Sequence, residues 1–192
     1  MPMIECTLIK GYDPQTRQLI GERLTDVACA TIGAHPDLVI VTIKEVEAEN
    51  YMRGRINRAP AKTPVQPEVM VRQFLDAMEQ RDLARASTFL AEDFEMVFPG
   101  NNRFAQLDEL VAWAKNRYQS IRKTYDEFDT SFRGTRAIVT CFGNLHGVWL
   151  DGTSFENIRF IDRFTLENGK ITFQEVWNDL GEIMKKDGYN VI

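Results

Sequence analysis

Polar and apolar residues alternate with period two at the start of the chain. Ile4, Cys6 and Leu8 fall on one face and Glu5 and Thr7 on the other, which predicts a half-buried strand. A turn at Gly11-Tyr12-Asp13-Pro14 follows, after which Ile20, Leu24, Val27 and Ala28 recur at helical spacing. Asp13 suits the cap of that helix, Pro14 its first position and Gly33 its end. The stretch 38–43 then runs Leu-Val-Ile-Val-Thr-Ile without a charge, the pattern of a parallel strand covered on both faces. One helix and two strands cannot bury such faces alone, so the pattern predicts a β-α-β unit that self-associates, a homo-oligomer.

Residues 57–66 break every periodicity. Pro60 and Pro64, basic residues and almost no large apolar side chain describe a stiff, extended linker. The chain therefore divides into a unit over 1–56, a linker over 57–66 and a second unit over 67–192.

The second unit opens with helical spacing. Val69, Val71, Phe74, Leu75 and Met78 make one apolar stripe, and Leu83, Ala86, Phe89 and Leu90 a second. A short strand is expected at 94–98, a third helix at 107–121, and then strands at 124–132, 137–150, 155–166 and 171–177. Turns at Gly134, Asp151-Gly152 and Asn168-Gly169 separate them. Helices followed by a long meander predict an α+β fold, a curved antiparallel sheet wrapped around helices into a cone with an inner cavity.

Strand parity picks out one acid. Over 155–166, Ile158, Phe160, Asp162 and Phe164 share a face and Asn157, Arg159 and Arg163 the other. Asp162 is expected to point into the cavity among phenylalanines. Desolvation there raises a carboxyl pKa, and such carboxyls are candidate catalytic groups. A buried carboxyl satisfied by Arg159, Arg163, Asn178 or a backbone amide is the structural alternative. The same parity on the preceding strand groups Phe142, Asn144, His146 and Val148, which puts His146 near Asp162 as a candidate partner; a core histidine bonded to one neighbour is its structural alternative.

The Met1-Pro2 start adds a second candidate. With Met1 removed, Pro2 carries a free secondary amine at the mouth of the first strand. Ordinary α-amino groups titrate near about 7.7–8.0 and burial lowers them, so such a nitrogen suits proton transfer at neutral pH. With Met1 attached, Pro2 is a tertiary amide with no basic nitrogen. A Met-Pro start also occurs with no chemistry attached.

Charge and cysteine usage narrow the classes. Net charge is −5 with no Lys/Arg block, so nothing electrostatic favours nucleic acid. No apolar run approaches the roughly 18 residues of a membrane span, and no signal-peptide pattern precedes Pro2. Three cysteines, Cys6, Cys29 and Cys141, odd in number and inside elements, point to reduced thiols in a cytoplasm. Only His35 and His146 are present, with neither metal-ligand spacing nor a glycine-rich phosphate loop. No metal and no cofactor are expected. Cofactor-free proton transfer or the binding of a small apolar ligand remains.

Residues 2–55 resemble the 4-oxalocrotonate tautomerase family, on Pro2, the strand-helix-strand order, Gly33 to Pro36, and Glu49-Asn50-Tyr51-Met52-Arg53-Gly54. The resemblance implies a catalytic Pro2 and a pocket lined by Tyr51, within hexamers or trimers. The family's substrate-holding arginines fall at Tyr12 and at Val39 or Ile40, so its anion clamp is absent; Arg53 and Arg55 are a substitute cation or a solvated edge.

Residues 67–180 resemble the nuclear transport factor 2-like superfamily, which includes ketosteroid isomerase and the SnoaL-like polyketide cyclases. The matching segments are 74–82, 89–94, Ile161-Asp162-Arg163-Phe164 and Asn168-Gly169-Lys170-Ile171. The resemblance implies an acid role for Asp162. The isomerase base and its oxyanion tyrosine fall at Phe98 and Phe74, neither of which exchanges a proton, so a steroid-type mechanism is not expected. Tyr51 and Arg53, and in the cone Phe74, Phe98, Asn144 and Phe160, are the candidate substrate contacts. Two readings follow: an isomerase or cyclase acting next to a carbonyl of a small hydrophobic substrate, or a non-catalytic ligand-binding or oligomerisation protein.

Overall fold

The computed structural model of the chain describes residues 1–186. Two compact units divide between Pro64 and Val65. The expected end of the second unit at residue 192 lies outside the described residues.

In the first unit, β1 (Met3–Ile9) and β2 (Ile40–Val46) pair in parallel, Met3 opposite Ile40 and Ile9 opposite Val46. Helix α1 (Pro14–Ile32) connects them. Asp13 caps it, Oδ1 accepting from the Thr16 amide at 2.7 Å, and Gly33 ends it in the left-handed region at φ 67°, its amide donating to the Cys29 carbonyl. A residue with a Cβ would be strained there. A hairpin of β3 (Met52–Arg53) and β4 (Ile56–Asn57) closes the unit, with Gly54 and Arg55 of its turn at positive φ.

Within the single chain β2 alternates between half-buried and exposed positions, because the one helix packs one face of a two-stranded sheet. Ala28 is the sole fully buried residue of this unit among those described, whereas Met3, Val27, Ile32 and Ile40 are exposed.

The second unit begins with α2 (Pro67–Glu79) and the short α3 (Leu83–Ser87). Val71, Phe74, Leu75 and Ala77 form the buried stripe of α2, and Phe74 meets Phe164 edge-to-face at 6.0 Å. Burying one such phenylalanine contributes about 1.5–3 kcal/mol. The second apolar stripe does not stay helical to its end: α3 stops at Ser87, and β5 (Leu90–Phe98) starts at Leu90, ahead of the expected 94. β6 (Asn102–Phe104) follows as a short edge strand.

Helix α4 (Leu107–Ala114) is half the length its spacing suggested. Tyr118 and Ile121, at helical offsets from Leu110 and Ala114, belong instead to β7 (Tyr118–Arg133). β8 (Arg136–Trp149), β9 (Ser154–Glu167) and β10 (Lys170–Asn178) complete a sheet of order β6-β5-β10-β9-β8-β7, and α5 (Leu180–Lys186) packs after it.

β7 to β10 form the expected antiparallel meander, and β5 joins β10 in parallel. Register shifts near Tyr118, Tyr125, Leu145 and Ile171 bend the long strands, so one face curls around α2 and holds the core.

Candidate functional site

β9 carries the acid. Ile158, Phe160, Asp162 and Phe164 are buried, the face that strand parity assigned to the cavity, and the Asp162 side chain has 0 % exposure. Its strand neighbours are Cys141 on β8 and Val176 on β10.

The partner of Asp162 is none of those considered from sequence. Lys123 on β7 donates from Nζ to Asp162 Oδ2. Arg159 instead donates to Asp179 and Arg163 to Glu175, and Asn178 Oδ1 accepts from the Leu180 amide. Lys123 stands one strand removed from β9. Gly143 of β8, opposite both Tyr125 and Phe160, has no side chain to fill the space crossed, and Nζ rests 4.5 Å from the centre of the Phe160 ring.

Burial pushes the Asp162 carboxyl above the ordinary carboxylate range, against the opposing charge and hydrogen bond of Lys123 and a smaller pull from Gln174. Its second oxygen, Oδ1, is buried without a hydrogen-bond partner, and a lone pair left so in a low-dielectric interior is costly. Burial and the nearby Asp162 charge also push the Tyr125 phenol above its ordinary range, which keeps it a proton donor. The buried Cys141 thiol is pushed up to about 12.

A cavity of about 120 Å³ opens in front of this pair. Phe74, Phe98 and Leu110 supply apolar wall, Lys123, Tyr125 and Gln174 supply polar groups, and Glu79 and Arg81 stand at the end of α2. Asp162 does not itself line the space, so the expected direct opening onto the acid is replaced by access through the Lys123 amine. None of the tryptophans plugs it: Trp149 stacks on Phe155, Trp113 lies under the Arg117 guanidinium, and Trp177 is exposed.

His146 and Asn144 are not where parity grouping put them. The register sets Cys141 against Asp162 and Gly143 against Phe160, so Val139, Cys141, Gly143 and Leu145 are the buried series of β8. Phe142, Asn144 and His146 alternate to the outer face. Asn144 lines an outer depression there with Arg159, Trp177 and Asp179, and His146 lies opposite Arg122. Neither shares the face of Asp162.

Phe74 and Phe98 line the cavity, and Phe160 underlies the lysine. In the first unit, Pro2 is half-buried with its carbonyl accepting from the Ile40 amide at 3.0 Å. Tyr51 and Arg53 are exposed beside and within the β3–β4 hairpin, where the Tyr51 carbonyl accepts from the Arg58 amide.

Sequence reasoning missed Lys123, Tyr125 and Gln174. The available signal was the alternation Ile121, Lys123, Tyr125, hidden by carrying the third helix through residue 121.

Among the described residues no group of three His, Cys, Asp or Glu side chains is placed to hold a metal ion, and no helix is long and apolar enough to cross a membrane.

Comparison with known proteins divides at the same place as the fold. The profile of the tautomerase enzyme family matches residues 2–55, and that of the SnoaL-like domain matches residues 71–174. A probable tautomerase of Ralstonia nicotianae is 36% identical over 64 residues, which cover 33% of this chain and 91% of that protein. Among solved structures, a nuclear transport factor 2-like protein of unknown function from Burkholderia pseudomallei superposes with TM-score 0.51 at 23% identity, covering 62% of this chain and 94% of its own. TerC, crystallised with polyporic acid, gives 0.52 at 22%, covering 62% and 95%. These likenesses establish the fold of the second unit.

Proposed function

This chain belongs to the SnoaL-like domain family through residues 71–174 and to the tautomerase enzyme family through residues 2–55, isomerase-type enzymes, and from that premise we propose that it moves a proton next to a carbonyl of a small hydrophobic substrate without a cofactor. The observation that carries the reading is the Lys123–Asp162 pair at the wall of an apolar cavity.

In this reading the substrate carbonyl oxygen accepts from the Lys123 ammonium or the Tyr125 hydroxyl. Either donor stabilises the negative charge that grows on that oxygen as the neighbouring carbon loses its proton, an effect strengthened where water is excluded. Asp162, held above its ordinary range, is the acid-base reservoir behind Lys123. Phe74, Phe98 and Phe160 give the site its preference for apolar rings or chains. A small-molecule occupant is in keeping with TerC, of the same fold, having been crystallised with polyporic acid. His146 and Asn144, on the outer face, take no part.

The first unit contributes a second proton-transfer site in the same reading. Pro2, freed of Met1, supplies a secondary amine, and Tyr51 and Arg53 stand as its substrate contacts. Its exposed Met3, Val27, Ile32 and Ile40 support assembly with further copies of this chain. The linker reading of 57–66 is supported by the division next to Val65. The free thiols Cys6, Cys29 and Cys141 support a cytoplasmic setting.

A screen of enol and keto acids and small enolisable ketones, followed by ultraviolet absorbance, tests the reading on protein whose N-terminus has been fixed by intact mass. Turnover that falls in Asp162→Asn or Pro2→Ala assigns it to one unit or the other. Equal turnover in both variants and the unaltered protein removes both assignments.

A further inference from the structure

We propose that Lys123 is a carbonyl-capturing nucleophile, its Nζ forming an imine with a small aldehyde or ketone in the inner cavity while Asp162 accepts and returns the protons of the step. The inference rests on the proton-transfer reading above and names the substrate class of that site.

Three features of the geometry carry it. Lys123 is the lysine that lines the cavity, so its amine can meet a carbonyl carbon there. Its amine lies against the face of Phe160 and shares the cavity wall with Tyr125, which hold it where a carbonyl carbon can approach. Its hydrogen-bond partner is a fully buried carboxyl whose Oδ2 meets Nζ and which Gln174 also approaches, and an ion pair at this depth is weak in net stability.

The step balances with these groups alone. One proton passes from Nζ to Oδ2 along their hydrogen bond, leaving a neutral amine and a neutral acid. The nitrogen lone pair adds to the carbonyl carbon, and the carbonyl oxygen takes the proton from Asp162. Asp162 next takes a proton from the nitrogen and delivers it to the same oxygen. The carbon–oxygen bond breaks, water leaves and a carbon–nitrogen double bond remains.

Protonated at nitrogen, the imine draws electrons from the adjacent carbon, whose proton goes to Oδ2, the carboxylate oxygen that meets Nζ. Returning a proton to a different carbon and adding water back across the carbon–nitrogen bond releases the isomer and the free amine. Nothing is oxidised or reduced.

Reductive trapping decides the matter. The full chain is incubated with cyclohexanone and sodium cyanoborohydride, digested and mapped by mass spectrometry. The expected result is a Lys123 peptide heavier by one cyclohexanone less one oxygen atom, formed at least about tenfold faster than any adduct at the exposed Lys10 or Lys44. Labelling of Lys123 no faster than those lysines, or none, overturns the imine. This comparison lies within the unaltered protein, so it survives a variant that misfolds; Lys123→Arg, which keeps the charge but cannot form the imine, should give no adduct at residue 123. Deuterium uptake into the same ketone separates the two readings. Uptake without adduct overturns the imine and leaves proton transfer standing, whereas adduct without uptake supports the imine and overturns proton transfer as the outcome.

Discussion

Lys123 on β7 and Asp162 on β9 are joined by a hydrogen bond across the intervening strand β8, over the position where Gly143 leaves the inner face without a side chain. The lysine side chain is 22% exposed and the carboxyl 0%. The charge that water can reach and the charge it cannot are thus on different residues, and that asymmetry sets how each responds to change.

Removing the lysine leaves a buried carboxyl without a counter-charge, and the loss is expected to be about 3 kcal/mol for Lys123→Met. Adding Asp162→Leu should recover most of it, because an apolar pair of similar volume needs no charge compensation. Urea unfolding of the two variants checks this; a double variant no more stable than the single one would assign the loss to packing.

Stability should depend on pH through the same acid. Folding raises the Asp162 pKa above its ordinary 3.8 by burial, with Lys123 and Gln174 opposing, and Tyr125 and Cys141 are the other titratable groups coupled to it. The folded state therefore holds the proton more tightly than the unfolded chain. The stabilisation from this group is fully present below 3.8 and is lost as pH rises through the higher folded value. Measured against Asp162→Asn, which does not titrate, the unaltered protein should lose relative stability across that rise; a constant difference would show no shift at Asp162.

Cys141 should be inert. Burial holds its thiol up at about 12, so little thiolate exists near neutral pH, and thiolate is the reactive form. An alkylating reagent should leave Cys141 unmodified in folded protein and modify it after denaturation, as read by peptide mapping. Modification before unfolding would contradict the depth assigned to it.

Gly143 should not tolerate a side chain. A Cβ there would lie 2.0 Å from the Thr124 carbonyl oxygen and 3.0 Å from the Tyr125 Cα, backbone that cannot swing aside. Gly143→Ala is expected to cost about 1–3 kcal/mol and to disturb the Lys123–Asp162 bond. Thermal unfolding at unchanged midpoint would refute the close approach.

Much of this arrangement was legible in the residues. The cap at Asp13, the stop at Gly33 and the parallel pair follow from local rules, and Asp162 was found because the alternation from Ile158 to Phe164 is unbroken. Lys123 was hidden for a physical reason: Tyr118 and Ile121 fit a helix continued from Leu107 as well as they fit a strand, and no proline or glycine marks the change. His146 was misplaced for another. Parity divides a strand into two faces but does not say which is inner, and on β8 the inner series includes Gly143, which carries no apolar signal, while the outer one includes Phe142, which does. Cross-strand register decides between them, and it is a property of the assembled sheet.

The most direct test of a proton-exchanging pair in the cone is solvent-deuterium uptake by an enolisable ketone, followed by proton NMR in unaltered protein, Lys123→Met and Pro2→Ala. The account predicts uptake that persists in Pro2→Ala and falls at least about 100-fold in folded Lys123→Met. Uptake at the same rate in Lys123→Met would contradict it.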